Sequence, residues 1–264
     1  MNPQVEHIAM LARVGYLARA IVYFALGYLT LATGEAEGTT SVLDPLAEVP
    51  GGNALMVLLA IGLAAYGLFR LYGAWVDLEN DGDEWKGRGK RFGHVLSGLA
   101  HLGLAWAALK LGFGGESVSD GAAGGAAADR VIDLPGGWLL VVVVAIGFAL
   151  AAVSQAGRAW SGKFMSLMSR DTPRWAELVG RIGYAARAAV FAALAWAVLE
   201  AGLSGDAGQI GFQDALAAYR DEDELYRMIA AGLAMFGVFS LVMARYRDVC
   251  DSPLAKRLVR RATG

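Results

Sequence analysis

Arginine is the residue type with the most chemistry to offer in this chain. Arg19 and Arg187 close two copies of one motif, Arg13-x-Gly15-Tyr16-x-x-Arg19 and Arg181-x-Gly183-Tyr184-x-x-Arg187, each within an apolar stretch. A charge in hydrocarbon is costly unless it pairs or reaches water. With apolar segments opening near residues 14 and 182, both arginines lie roughly 6–8 Å inside, a depth from which a guanidinium can snorkel to the interface. They are expected to contact lipid headgroups there, or, with Arg70 as a third, to line an inner vestibule for anions.

His101 is the isolated titratable group of the third apolar segment, where Tyr23 and Phe191 hold the matching positions of the other copies. A neutral imidazole hydrogen-bonded inside a helical bundle is the favoured expectation, with a proton relay or solute gate as the sharper one. Haem ligation by two histidines would need a second one at that depth, and neither His7 nor His94 lies there. Asp44, Asp129 and Asp214 share one register of the repeat and would make an acidic ring if their copies surround an axis, as at cation-selecting pore mouths. Their other reading is helix capping, with Asp44-Pro45 as N-cap and first-turn Pro.

Three His and one Cys leave little for metal binding or nucleophilic catalysis. No nucleophile elbow, phosphate loop, dinucleotide fingerprint or metal-spaced cluster occurs, so no enzyme, metal or cofactor is expected. The lone Cys250 excludes an intramolecular disulfide.

The elements that carry these residues repeat. Ala60-Ile61-Gly62-Leu63-Ala64 returns as Ala145-Ile146-Gly147-Phe148-Ala149 and as Ala230-Ala231-Gly232-Leu233-Ala234, with 85 residues between copies. Upstream, Arg13, Arg91 and Arg181 each open a segment, with Tyr28, Trp106 and Trp196 each 15 residues later. The spacing defines tandem repeats at 11–77, 91–164 and 178–249 within a single domain of residues 1–264, followed by a basic tail at 250–264.

Apolar residues make up 56% of the chain, mean hydropathy is +0.44, and 35 glycines are present. Six stretches, 14–33, 54–75, 92–113, 137–157, 182–203 and 226–244, approach the ~20 residues that cross a ~30 Å hydrocarbon core. The N-terminus lacks the basic region and cleavage site of a signal peptide. The fold class expected is an all-α membrane protein: six transmembrane helices, two per repeat, around a pseudo-threefold axis along the membrane normal. Small residues at Gly62, Ala64, Gly147, Ala149, Gly232 and Ala234 are expected to let the helices approach. Pro50-Gly51-Gly52 and Pro135-Gly136-Gly137 should turn the chain back into the bilayer.

Nineteen of the 23 Lys and Arg fall on one side of such a bundle, which predicts both termini in the cytoplasm and a polarised molecule despite a net charge of −2. The segment from Asp77 to Arg91 reads as a solvated connector. The tail from Asp251 to Arg261 suits either an amphipathic helix on the anionic leaflet or a solvated topogenic end.

Arg13-x-Gly15-Tyr16-x-Ala18-Arg19, Pro50-Gly51-Gly52 and Gly62-Leu63-x-x-Tyr66-Gly67 together resemble the bacterial family named domain of unknown function 1206, over roughly residues 11–250. The resemblance implies three tandem two-helix units in a bacterial inner membrane and implies no activity. Repeat two departs most, with His94 for Tyr and Ser97 for Arg. Because few polar groups are expected inside the bilayer, the function anticipated is that of a non-enzymatic accessory or interaction subunit of a membrane assembly. Its partners would be membrane lipids and other membrane-protein subunits, with no nucleic acid. The alternative is a small-solute or ion channel or transporter with an acidic extracytoplasmic mouth.

Overall fold

The computed structural model describes residues 3–116, 120–205 and 210–248. Cys250 and the basic tail lie outside the described residues. Six long helices, α1 (Pro3–Thr33), α3 (Gly52–Val76), α4 (Trp85–Gly112), α6 (Gly137–Ser161), α7 (Trp175–Ser204) and α9 (Asp223–Tyr246), are long and apolar enough to cross a membrane. Three short helices, α2 (Leu43–Glu48), α5 (Asp120–Ile132) and α8 (Phe212–Ala217), join the two long helices of each repeat. The described residues contain no strand beyond an isolated bridge between Met168 and Arg247.

The turn chemistry works as the Pro-Gly-Gly pairs predict. Gly51 and Gly136 sit at φ of 81° and 75°, where a Cβ would be strained. Their successors are needed for a different reason. A Cβ on Gly52 would fall 1.9 Å from the Ala47 carbonyl oxygen, and one on Gly137 would fall 1.6 Å from that of Val131.

Exposed tryptophans mark two levels. Trp75, Trp85, Trp160 and Trp175 stand exposed at the end where α1 begins and α9 finishes (the termini end), and Tyr28, Trp106 and Trp196 stand exposed toward the other. Trp85 and Trp106 are 21 residues apart on α4, as are Trp175 and Trp196 on α7. At ~1.5 Å per residue that is about 31 Å, the hydrocarbon thickness between two aromatic belts.

Each repeat packs extensively on the next, α3 on α4, α6 on α7 and α9 on α1, while α1 packs on α3 and α7 on α9 within repeats one and three. A regular ring would add α4 on α6. That pair does not pack along its length among the described residues, and the neighbour order runs α4, α3, α1, α9, α7, α6.

The expected small-residue contacts explain this difference. A Cβ at Gly62 would come 2.5 Å from Ala18 Cβ, and one at Gly232 would come 2.6 Å from Ala186 Cβ. Ala64 and Ala234 are half-buried beside them. Gly147 meets nothing within 4 Å, and Ala149 is exposed. The residue of α4 in register with Ala18 and Ala186 is Leu96, whose bulk prevents the same close approach.

The short helices correct the capping expectation. Val42 and Gly211 precede α2 and α8, neither helix has a side-chain cap, and Asp44 and Asp214 lie inside the first turn. Asp129 lies in the last turn of α5 and is exposed.

Candidate anion-binding site

Arg19 lies midway along α1, because the helix begins at Pro3, well before its apolar stretch. It does not snorkel. The residue is 5% exposed, and its guanidinium donates to Tyr66 Oη at 2.6 Å and Ser240 Oγ at 3.2 Å. It stacks on Tyr16, Tyr66 and Phe236 at 4.8–4.9 Å. Tyr66 lies 10 residues from the end of α3, about 15 Å deep by the helical rise and close to the bilayer midplane. Two glycines make room for this layer: a Cβ at Gly15 would strike Tyr66 Cα at 2.6 Å, and one at Gly183 would strike Phe236 Cα at 2.7 Å.

Arg187 takes the equivalent place on α7. Its guanidinium lies over Phe236, Phe191 and Tyr23 at 4.5, 5.2 and 5.3 Å, so Phe236 is flanked by Arg19 and Arg187 together. In repeat two the third equivalent, Ser97, accepts through its carbonyl a hydrogen bond from His101 Nδ1 at 2.7 Å. The His101 ring packs 4.4 Å from that of Tyr66. That tautomer suits the hydrogen-bonded imidazole expected of it.

Nearer the termini end, the expected solvated connector after α3 folds inward. Asp77, at φ 53°, accepts from the backbone N–H groups of Asp81 and Gly82, and this turn delivers Glu79 into the bundle. One Glu79 carboxylate oxygen receives Arg247 at 2.7 Å and Arg70 at 3.4 Å, and the other faces His94 Nε2 at 3.7 Å. Burial alone would raise the Glu79 pKa, but Arg247 and then Arg70 outweigh it and hold the carboxyl well below its ordinary range. Arg247 is placed by the turn after α6: its neighbour Tyr246 accepts from Ser169 N, and Asp248 N donates to Leu167. Its guanidinium also lies 5.5 Å from the Tyr16 ring, which links this cluster to Arg19.

Glu79, Asp81 and His94 place ligand atoms within 4.8 Å of one another. A dication there would face the guanidinium groups on Glu79 and the Lys90 ammonium on Asp81 at 2.9 Å, so the trio reads as a charge network.

Arg158 of α6 completes the set, 5.8 Å from the Tyr184 ring. Among the described residues no carboxylate lies within 4 Å of Arg19, Arg158 or Arg187. Among the described residues the buried Nε atoms of Arg70, Arg187 and Arg247 have no acceptor, and Gln155 Oε1 has no donor. Of the five guanidinium groups of Arg19, Arg70, Arg158, Arg187 and Arg247, only Arg70 and Arg247 have a carboxylate within 4 Å among the described residues, and both share Glu79, an excess of positive charge that a polyatomic anion would match. A cavity of about 440 Å³ opens from the termini end onto Arg13, Arg245 and Arg247, with Ser169 and Asp171 in its wall.

The three arginines singled out by sequence therefore enter one interior system, whereas the three aspartates lie on separate short helices. Missed were Glu79, Arg158, Arg247, Gln155 and Ser240. Two of these were legible: Gln155 and Ser240 follow Arg70 at the 85-residue period, so each second helix carries a polar residue at one depth. The motif arginines Arg91 and Arg181 have a structural use, since they bind the final carbonyls of the preceding helix, Ala74 and Trp75 or Ala159 and Trp160.

Over its 65-residue match to Uncharacterized protein YxxB of Bacillus subtilis (strain 168), the chain is 34% identical. The match covers 22% of this chain, and the chain spans only about a quarter (24%) of the length of that relative. No solved structure matches. The family model described as Domain of Unknown Function (DUF1206) matches three times, at residues 14–77, 92–162 and 182–247. With two membrane-length helices in each match, the chain belongs to the DUF1206 family of multi-pass membrane proteins.

Proposed function

We propose that this protein binds a polyatomic anion inside its membrane domain, through the guanidinium groups of Arg19, Arg70, Arg158, Arg187 and Arg247. We place it in the bacterial inner membrane with both termini cytoplasmic, a reading supported by the sequence bias, in which 17 of the 23 Lys and Arg fall in segments assigned to the side of the termini once Arg19 and Arg187 near the midplane are set aside. One observation carries the proposal: among the described residues three buried arginine Nε atoms lack an acceptor, in a group of five arginines that has one carboxylate, Glu79, within 4 Å. An Arg at the centre of a transmembrane helix costs about 2.5–3.5 kcal/mol on insertion scales, so two near the midplane are retained for use and not for stability. No step of covalent catalysis is assigned to these residues, and the role is non-enzymatic.

The accessory-subunit reading loses its premise of an apolar interior. It keeps one supporting observation, the thinly packed faces of α4 and α6. The channel reading keeps its cationic inner end, while its acidic mouth would need Asp129 to act from the opposite end of its helix to Asp44 and Asp214.

Thermal unfolding of the detergent-solubilised full chain tests the proposal. At fixed ionic strength, phosphate or sulfate in place of chloride should raise Tm, since a ligand at 100 times its Kd adds about 2.7 kcal/mol. Arg19→Met should fold with an unchanged or higher starting Tm, because an apolar isostere replaces a buried charge, and should lose most of the rise. An equal rise in both proteins, or none in the wild type, overturns the proposal.

A further inference from the structure

Repeat two is the one repeat whose long helices stand apart, and its polar residues lie where they part. In repeats one and three the pairs Gly62 with Ala18 and Gly232 with Ala186 close each repeat. The register partners in repeat two are Gly147 with Leu96 and Gly93 with Ala151. A Cβ added at Gly93, Gly103, Gly147 or Gly157 would meet nothing within 4 Å. Both helices expose large apolar side chains, among them Leu96 on α4 and Ile146 and Leu150 on α6. Toward the termini end the same two helices carry His94 on α4 and Arg158 on α6. Arg158 acts electrostatically on both His94 and Glu79, and no carboxylate lies within 4 Å of it among the described residues. One turn deeper on α6, Gln155 keeps its unpartnered Oε1.

We propose that the opening between α4 and α6 admits a phospholipid with an anionic headgroup, its acyl chains along the apolar walls and its phosphate bound by Arg158. This rests on the anion-binding reading and names its ligand class and route. An anion that arrives from the side, through hydrocarbon, must bring an apolar body, whereas a free phosphate would use the cavity at the termini end. The charge match is with the guanidinium groups behind Arg158, which one zwitterionic headgroup would leave largely uncompensated.

Native mass spectrometry of the full chain released from nanodiscs containing phosphatidylcholine and phosphatidylglycerol tests the route. The wild type should retain phosphatidylglycerol selectively. Arg158→Gln should weaken that retention about tenfold, the loss of one charge-assisted contact. Leu96→Ala, which permits α4 to approach α6, should weaken it too, and Arg88→Gln on the exposed start of α4 should leave it unchanged. Equal retention of the two lipids, an Arg158→Gln protein that behaves as wild type, or a second copy or another protein in place of lipid each overturns the proposal. If phosphate still raises Tm in an Arg19-dependent way when lipid selectivity is absent, the lateral route fails alone. If both effects are absent, the anion-binding reading fails with it.

Discussion

At the scale of single residues, charge balance governs. Among the described residues Glu79 is the one carboxylate within 4 Å of these guanidinium groups, and its loss would leave Arg247 and Arg70 facing each other unpaired. Glu79→Gln should therefore cost roughly 3–5 kcal/mol, seen as a fall in Tm or in the midpoint of denaturant unfolding. The depressed pKa fixes the sign of the pH effect. The stabilisation is complete above the unfolded carboxyl value of 4.5 and is lost as pH falls through the lower folded value. Wild-type stability should carry the full contribution of this group, with no pH dependence from it, between about pH 8 and pH 5, and should show an acid-side loss that Glu79→Gln lacks. Arg19, Arg70 and Arg187 were legible as candidates because a charge in an apolar segment demands a reason. Their depth was not. Glu6 to Arg13 look like a polar approach to the membrane, yet they belong to α1 and push Arg19 toward the midplane. Glu79 and Arg247 were hidden because nothing local shows that a connector and a chain end fold back onto one another.

At the scale of elements, one substitution made three times separates the repeats. Gly62→Ala and Gly232→Ala would set a methyl 2.5–2.6 Å from Ala18 or Ala186, forcing apart helices that touch there. Each should lower stability by about 1–3 kcal/mol, as overpacking does. Gly147→Ala meets open space and should be neutral or mildly stabilising by up to about 1 kcal/mol through helix propensity. Thermal denaturation of the three variants side by side checks this, and an equal loss in all three would mean that α4 and α6 do pack. The period of 85 residues and the two Pro-Gly-Gly turns made the elements legible. The separation of α4 from α6 was less so, although Leu96 in place of Ala18 and Ala186 is a visible signal, because a single larger side chain decides whether backbones can touch.

At the scale of the whole molecule, three similar helix pairs surround a cationic interior, and among the described residues the helices of the least symmetric pair, α4 and α6, do not pack along their length. Hydropathy and period were enough to anticipate six crossings. They were silent on the interior, since the residues that fill it come from α1, α3, α6, α7 and α9 and from the connector before α4, and meet only once folded. The central claim is that this interior binds a polyatomic anion, and anomalous diffraction from crystals of the full chain soaked in selenate, a sulfate isostere, reads it directly. A selenium peak is expected inside the bundle within contact of the guanidinium groups of Arg19, Arg70, Arg158, Arg187 or Arg247. Selenate confined to exposed arginines such as Arg88 and Arg220, with none in the interior, would contradict it.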